Sequence, residues 1–69
     1  MTTTPRTDLG ERIRSARRRR RLTQARAAEA AGMLQSTWSD IETGRVSPTV
    51  QTLRRIADAL GVRPGRLVD

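Results

Sequence analysis

The sequence predicts an all-α fold, a compact domain of four to five short helices. Three observations carry that expectation. Apolar residues recur three and four positions apart in successive segments, the spacing that lines up one face of a helix. Threonine or aspartate stands where these segments begin and glycine where most of them end, as helix starts and stops require. No stretch alternates apolar and polar residues as a half-buried strand would.

Residues 1–7 are small, polar and interrupted by Pro5, and read as a flexible N-terminal arm, which leaves 8–69 as the folded domain. Asp8 followed by Glu11 three positions later is a capping-box pattern. Leu9, Ile13 and Ala16 share one helical face, so a first helix is expected from Leu9 to Arg20. Arg17 falls on the edge of that face, where a guanidinium needs a partner or a route to water. Thr23 is suited to cap a second helix over "QARAAEAA", although Arg26 stands where a capping box wants glutamate and puts positive charge near a helix N-terminus. Gly32 ends that helix. A third is expected from about Gln35 to Thr43, with Trp38 and Ile41 on its inner side and Gly44 as its stop. "RVSP" reads as a loop and Thr49 as a cap. Val50, Leu53, Ile56, Ala57 and Leu60 form the apolar stripe of a fourth helix ending at Gly61. The remaining "VRPGRLVD" has room for one turn, from Pro64 to Val68, with Val62 and Leu67 closing the core.

With 69 residues there is room for one domain, and so short a chain hides only about 60% of the surface its unfolded form exposes. It contains neither cysteine nor histidine, so thiolate chemistry, disulfides, the commonest metal ligand and the usual general base are all missing. No catalytic residue, cofactor or metal is expected, and an enzyme is the least supported class. No apolar run is long enough for a membrane span, and the opening "MTTTPRTD" lacks the apolar stretch of a signal peptide; cytoplasmic residence without a membrane partner is the expectation. All 14 basic residues are arginine, giving a formal net charge of +7 against seven acids. A pI near 11.9 directs such a domain toward polyanions, nucleic acid first among them.

Helix, tight glycine turn, helix, with small residues where the two approach, is the form of a helix-turn-helix. The stretch "LTQARAAEAAGMLQSTWSDIETGRVSPTVQTLRRIADALGV" resembles the phage Cro- and C1-type repressor family, with similarity running from about Leu9 to Leu67. "LTQ", Ala28, Gly32, "QST", "IETG", Pro48 and "IADALGV" all stand at the family's spacing. The resemblance implies a lambda-repressor-like DNA-binding domain. Ala28 lies where the two helices of the motif cross, and Ala27, Ala31, Met33, Trp38 and Ile41 point inward. The family usually carries larger aliphatics at Ala27 and Ala31, so the bulk of Trp38 is expected to fill the volume they leave. Its indole N–H then needs an acceptor or an exit to water.

The resemblance further implies that the third helix enters the major groove of double-stranded DNA. Gln35, Ser36, Ser39 and Asp40 are then the side chains in reach of base edges, and Leu34 of a thymine methyl. Gln24, Thr43 and Arg45 are the implied phosphate contacts. Glu42 pairs with Arg17 as a structural ion pair. Arg18 to Arg21 supply long-range attraction, and Arg21 occupies a position where the family often has glycine. Asp40 has a second reading of equal weight, as a charge partner of Arg45. The expected function is a small sequence-specific transcriptional repressor or autoregulator, acting as a homodimer on a palindromic site, with Leu67 and Val68 as possible interface residues. The alternative is a protein-binding module such as an antitoxin or bridging factor.

Overall fold

A computed structural model describes residues 5–68. Five helices follow one another: α1 (Pro5–Arg19), α2 (Gln24–Ala30), α3 (Gln35–Glu42), α4 (Val50–Leu60) and α5 (Pro64–Val68). The order, number and type of elements are those expected, with two shifts at the ends of α1. That helix begins at Pro5, not at Leu9, so Asp8 lies within it and cannot be its cap. Proline suits a first helical position because its fixed φ is already helical and its missing N–H would have had no partner there. The expected arm therefore overlaps the helix at 5–7, and its remainder, 1–4, lies outside the described residues.

Thr23 and Thr49 cap as expected. Thr23 Oγ1 accepts from the Arg26 N–H at 3.1 Å, and Thr49 Oγ1 accepts from the Thr52 N–H at 3.1 Å, each satisfying one of the donors a helix start leaves open. The turn between α2 and α3 closes where the Met33 N–H returns to the Ala28 carbonyl at 2.9 Å, with Gly32 at φ 71°. The turn between α1 and α2 needs the same left-handed backbone at Arg21, whose φ is 57°. Arginine there keeps the turn at a conformational cost that glycine would not carry.

One apolar core gathers all five helices. Ile13, Ala27, Ala28, Ala31, Trp38, Ile41, Ile56, Ala57, Leu60 and Leu67 are buried, and Leu9, Ala16, Leu22, Met33, Leu53 and Val62 pack against them half-covered. Trp38 is 1% exposed beside the buried alanines of α2, so its bulk occupies the space that those short side chains leave. Two expectations are corrected. Val50 is 69% exposed, because as the first residue of α4 it stands beyond the end of the core although its phase matches the stripe. Leu67 is 2% exposed and closes the core as expected, which leaves it little surface for the interface role also expected of it; Val68, 57% exposed, stays outside.

Gly10 was not singled out by the sequence reading, and it fixes how closely α1 meets α3. A Cβ at Gly10 would lie 2.2 Å from the Glu42 carbonyl oxygen and 2.8 Å from that of Ile41. Glycine inside a helix costs about 1 kcal/mol relative to alanine, and here it permits a backbone-to-backbone approach that no side chain allows.

Candidate nucleic-acid interface

The third helix has an inner and an outer side set by its own periodicity. Trp38, Ile41 and Glu42 are buried. About half a turn away stand Ser36 and Thr43, exposed, with Ser39 and Asp40 half-buried between the two sides. Gln35 is exposed at the helix start, preceded by Leu34, which is 72% exposed. Leu34 occupies the N-cap position and makes no side-chain capping bond. The five residues expected to read bases thus lie at the start and along the outward side of one helix, with the two exposed polar ones, Gln35 and Ser36, nearest its N-terminus.

The inner side is held by a single buried carboxylate. Glu42 is 3% exposed. Its Oε2 accepts from Arg17 Nε at 2.7 Å and from the Trp38 indole N–H one turn back on the same helix. Its Oε1 accepts from Gln24 Nε2 at 3.1 Å, from Arg14 Nε at 3.4 Å and from Arg17 Nη2 at 3.4 Å. Arg17 also donates through Nη1 to the Leu22 carbonyl at 2.7 Å, tying the turn after α1 to the same centre. One carboxylate therefore links α1, α2 and α3. Burial alone would push the Glu42 carboxyl up, but the hydrogen bonds from Arg17, Trp38 and Gln24 and the Arg17 charge outweigh it and hold the group below its ordinary value.

The expected Arg17–Glu42 pair is present, and the expected acceptor for Trp38 is the same glutamate. The wider cluster was missed. Gln24 reaches inward to Glu42 rather than lying free at the end of α2, and Arg14, with a side chain 41% exposed, joins from the solvent edge. Only a matched polar periodicity between α1 and α3 could have signalled Arg14: it lies one turn before Arg17 on the same face.

The other expected phosphate contacts differ in readiness. Arg45 is exposed, and its backbone N–H donates to the Asp40 carbonyl at 2.9 Å. Thr43 is exposed, but its hydroxyl hydrogen is directed at the carbonyls of Ser39 (3.0 Å) and Asp40 (3.2 Å), so it must rotate before it can donate elsewhere. Asp40 has no ion-pair partner among the described residues, which leaves the Arg45 pairing without support and its carboxylate open to an outside donor. Arg18, Arg19, Arg20 and Arg21 are all exposed. Arg20 lies back over Gly61 at the end of α4.

Among the described residues no group of acids, histidines or cysteines is placed to hold a metal ion, and no helix is long and apolar enough to cross a membrane.

Residues 8–69 match the family described as helix-turn-helix domain. The chain is 40% identical over 60 residues to the immunity repressor protein of Bacillus phage phi105, an alignment that covers 87% of this chain and 42% of the phage protein. It thus spans less than half the length of that relative. The restriction-modification controller protein C.AhdI from Aeromonas hydrophila superposes with a TM-score of 0.91 at 25% identity, over 94% of this chain and 98% of that one. The P22 c2 repressor, in a crystal structure with a synthetic operator, superposes with a TM-score of 0.82 at 28% identity, over 88% of this chain and 92% of that one. The five-helix arrangement that sets α3 against α1 and α2 is therefore a shared architecture, and the chain belongs to the helix-turn-helix domain family.

Proposed function

We propose that this chain is a sequence-specific, double-stranded-DNA-binding transcriptional regulator, a small repressor or autoregulator that reads the major groove with α3. The observation that carries the reading is the division of that helix. Its inner side is fastened to two other helices through Glu42, while Leu34, Gln35 and Ser36 project from its start with no packing role. A helix held this firmly presents its outer side chains at fixed positions, which base readout requires. The arginine excess supplies the phosphate attraction that brings DNA to it.

In this reading Gln35 pairs with adenine through N6 and N7, Ser36 and Ser39 accept or donate without strong preference, and Leu34 covers a thymine methyl. Asp40 accepts from cytosine N4. Gln24 and Arg45 face the phosphates, Gln24 with its amide steadied by Glu42, and Thr43 does so after its hydroxyl turns. One eight-residue helix covers few base pairs, so the chain acts as a homodimer on a palindromic site with half-sites about one helical turn apart. Cytoplasmic residence follows from a DNA target.

Selection from a pool of random double-stranded DNA tests this directly. A two-fold symmetric motif should be enriched, and sedimentation should show two chains per site. Salt-sensitive binding with no enriched motif would return the chain to the protein-binding alternative, and a monomer on single half-sites would remove the dimer.

A further inference from the structure

A cleft of about 400 Å³ lies between α1 and α5. Its apolar floor is Ala16, Val62 and Leu67, and Ser15, Arg19 and Arg66 stand around it. The volume lies within the range of small-molecule sites, about 300 to 1,000 Å³. Neither the Arg19 nor the Arg66 guanidinium has a partner among the described residues, and both are exposed. Among the described residues of the lining Glu11 is the one acid, beside Arg12, Arg19 and Arg66, so basic residues outnumber acidic ones among them.

Helical phase places the cleft away from the DNA-reading apparatus. Gly10, Arg14 and Arg17 mark the face of α1 turned to Glu42 and α3. Ser15, Ala16 and Arg19 lie about 180° around the same helix. Nothing that fastens α3 uses this side, and a ligand seated here leaves Leu34, Gln35 and Ser36 uncovered.

From this we infer a binding site for a small organic carboxylate with an apolar body, whose chain lies on Ala16, Val62 and Leu67 and whose carboxylate is received by Arg19 and Arg66. An apolar floor rewards burial of a hydrocarbon chain, and an exposed guanidinium is suited to a carboxylate through bidentate hydrogen bonds. Neither half suffices alone: inorganic phosphate finds no use for the floor, and a neutral alcohol none for the arginines.

The test is an amide chemical-shift titration of the full chain with sodium decanoate, kept below its micelle-forming concentration, with decanol and inorganic phosphate as parallel arms. Decanoate should give saturable shifts confined to Ser15, Ala16, Arg19, Val62 and Leu67. Decanol and phosphate should each bind at least tenfold more weakly. The Arg19→Glu, Arg66→Glu double variant alters only exposed side chains and should lower decanoate affinity at least tenfold. Phosphate binding as well as decanoate would reduce the cleft to a patch of positive charge and overturn the inference. So would shifts that fail to saturate or that spread through α2 and α3. Preference for a peptide of alternating leucine and glutamate over decanoate would replace the small molecule with a protein segment and overturn it equally.

Discussion

Glu42→Ala removes the one acceptor shared by four side chains, and its cost can be worked from the geometry. The Trp38 N–H is buried and loses its partner, a penalty of about 1 to 3 kcal/mol. Arg17, with a side chain 12% exposed, loses its counter-charge, and breaking a buried pair costs about 3 to 5 kcal/mol when the remaining charge is sealed from water. Here it is not fully sealed: Arg17 keeps its bond to the Leu22 carbonyl, and Arg14, at 41% exposure, turns to solvent at little cost. These reliefs bring the expected loss to about 3 kcal/mol. A chain of this length has a total stability of about 3 to 10 kcal/mol, so the variant should melt about 10 to 25 °C lower. Thermal melts followed by circular dichroism and by the fluorescence of the single tryptophan, on Glu42→Ala, Arg17→Ala and the double variant, measure both the loss and its coupling. The two singles should overlap by about 1.5 kcal/mol or more in the cycle. Additive effects, or a loss under about 1 kcal/mol for Glu42→Ala, would refute the reasoning.

The depressed pKa of Glu42 carries a pH signature. Its stabilisation is complete above the unfolded carboxylate value near pH 4.3 and is lost as pH falls through the lower folded value; an acid titration of Glu42→Gln should lack this component, and an unchanged acid limb would contradict the linkage. Gly10→Ala should destabilise by about 2 kcal/mol in urea melts despite the better helix propensity of alanine, because the added methyl meets the α3 backbone; neutrality would mean that the two helices slide apart without cost. Arg21→Gly should stabilise by up to about 1 kcal/mol by relieving the left-handed backbone, and destabilisation in the same melts would show that the arginine side chain matters more than its φ. Asp40→Ala should relax preference at one base pair by about 1 to 3 kcal/mol while raising non-specific affinity, measured on specific and scrambled sites at several salt concentrations; equal tightening on all sequences would reduce Asp40 to a charge alone.

Local chemistry was legible in the sequence, and distant contact mostly was not. Thr23, Thr49 and Gly32 act within a few residues of themselves, so residue type and position announced their roles. Helical phase separated the buried Trp38 and Ile41 from the exposed Ser36. The Arg17–Glu42 pair became readable through family register, since nothing near either residue points to the other across 25 positions. Gln24 shows the limit: its place at a helix start suggested an outward role, and only the packing of α2 on α3 brings its amide to Glu42. Gly10 could have been suspected, because a glycine within a helix needs a reason. Val50 and Asp8 were misjudged for one cause. Periodicity describes the middle of a helix well and says little about where the helix or its core stops.

The division of α3 into a fastened side and a free side also bears on how such a chain changes over generations. In the proposed reading, stability and recognition reside in different side chains of α3 and its N-cap. Leu34, Gln35 and Ser36 can therefore be exchanged in combination with small penalties in folding, whereas Glu42, Trp38 and Gly10 admit almost no variation. If these residues read bases as proposed, new target preferences lie a few substitutions apart and are reachable without passing through unfolded intermediates. A library randomised at those three exposed positions would consist largely of folded members, which makes the domain a ready starting scaffold for selecting new binding specificities.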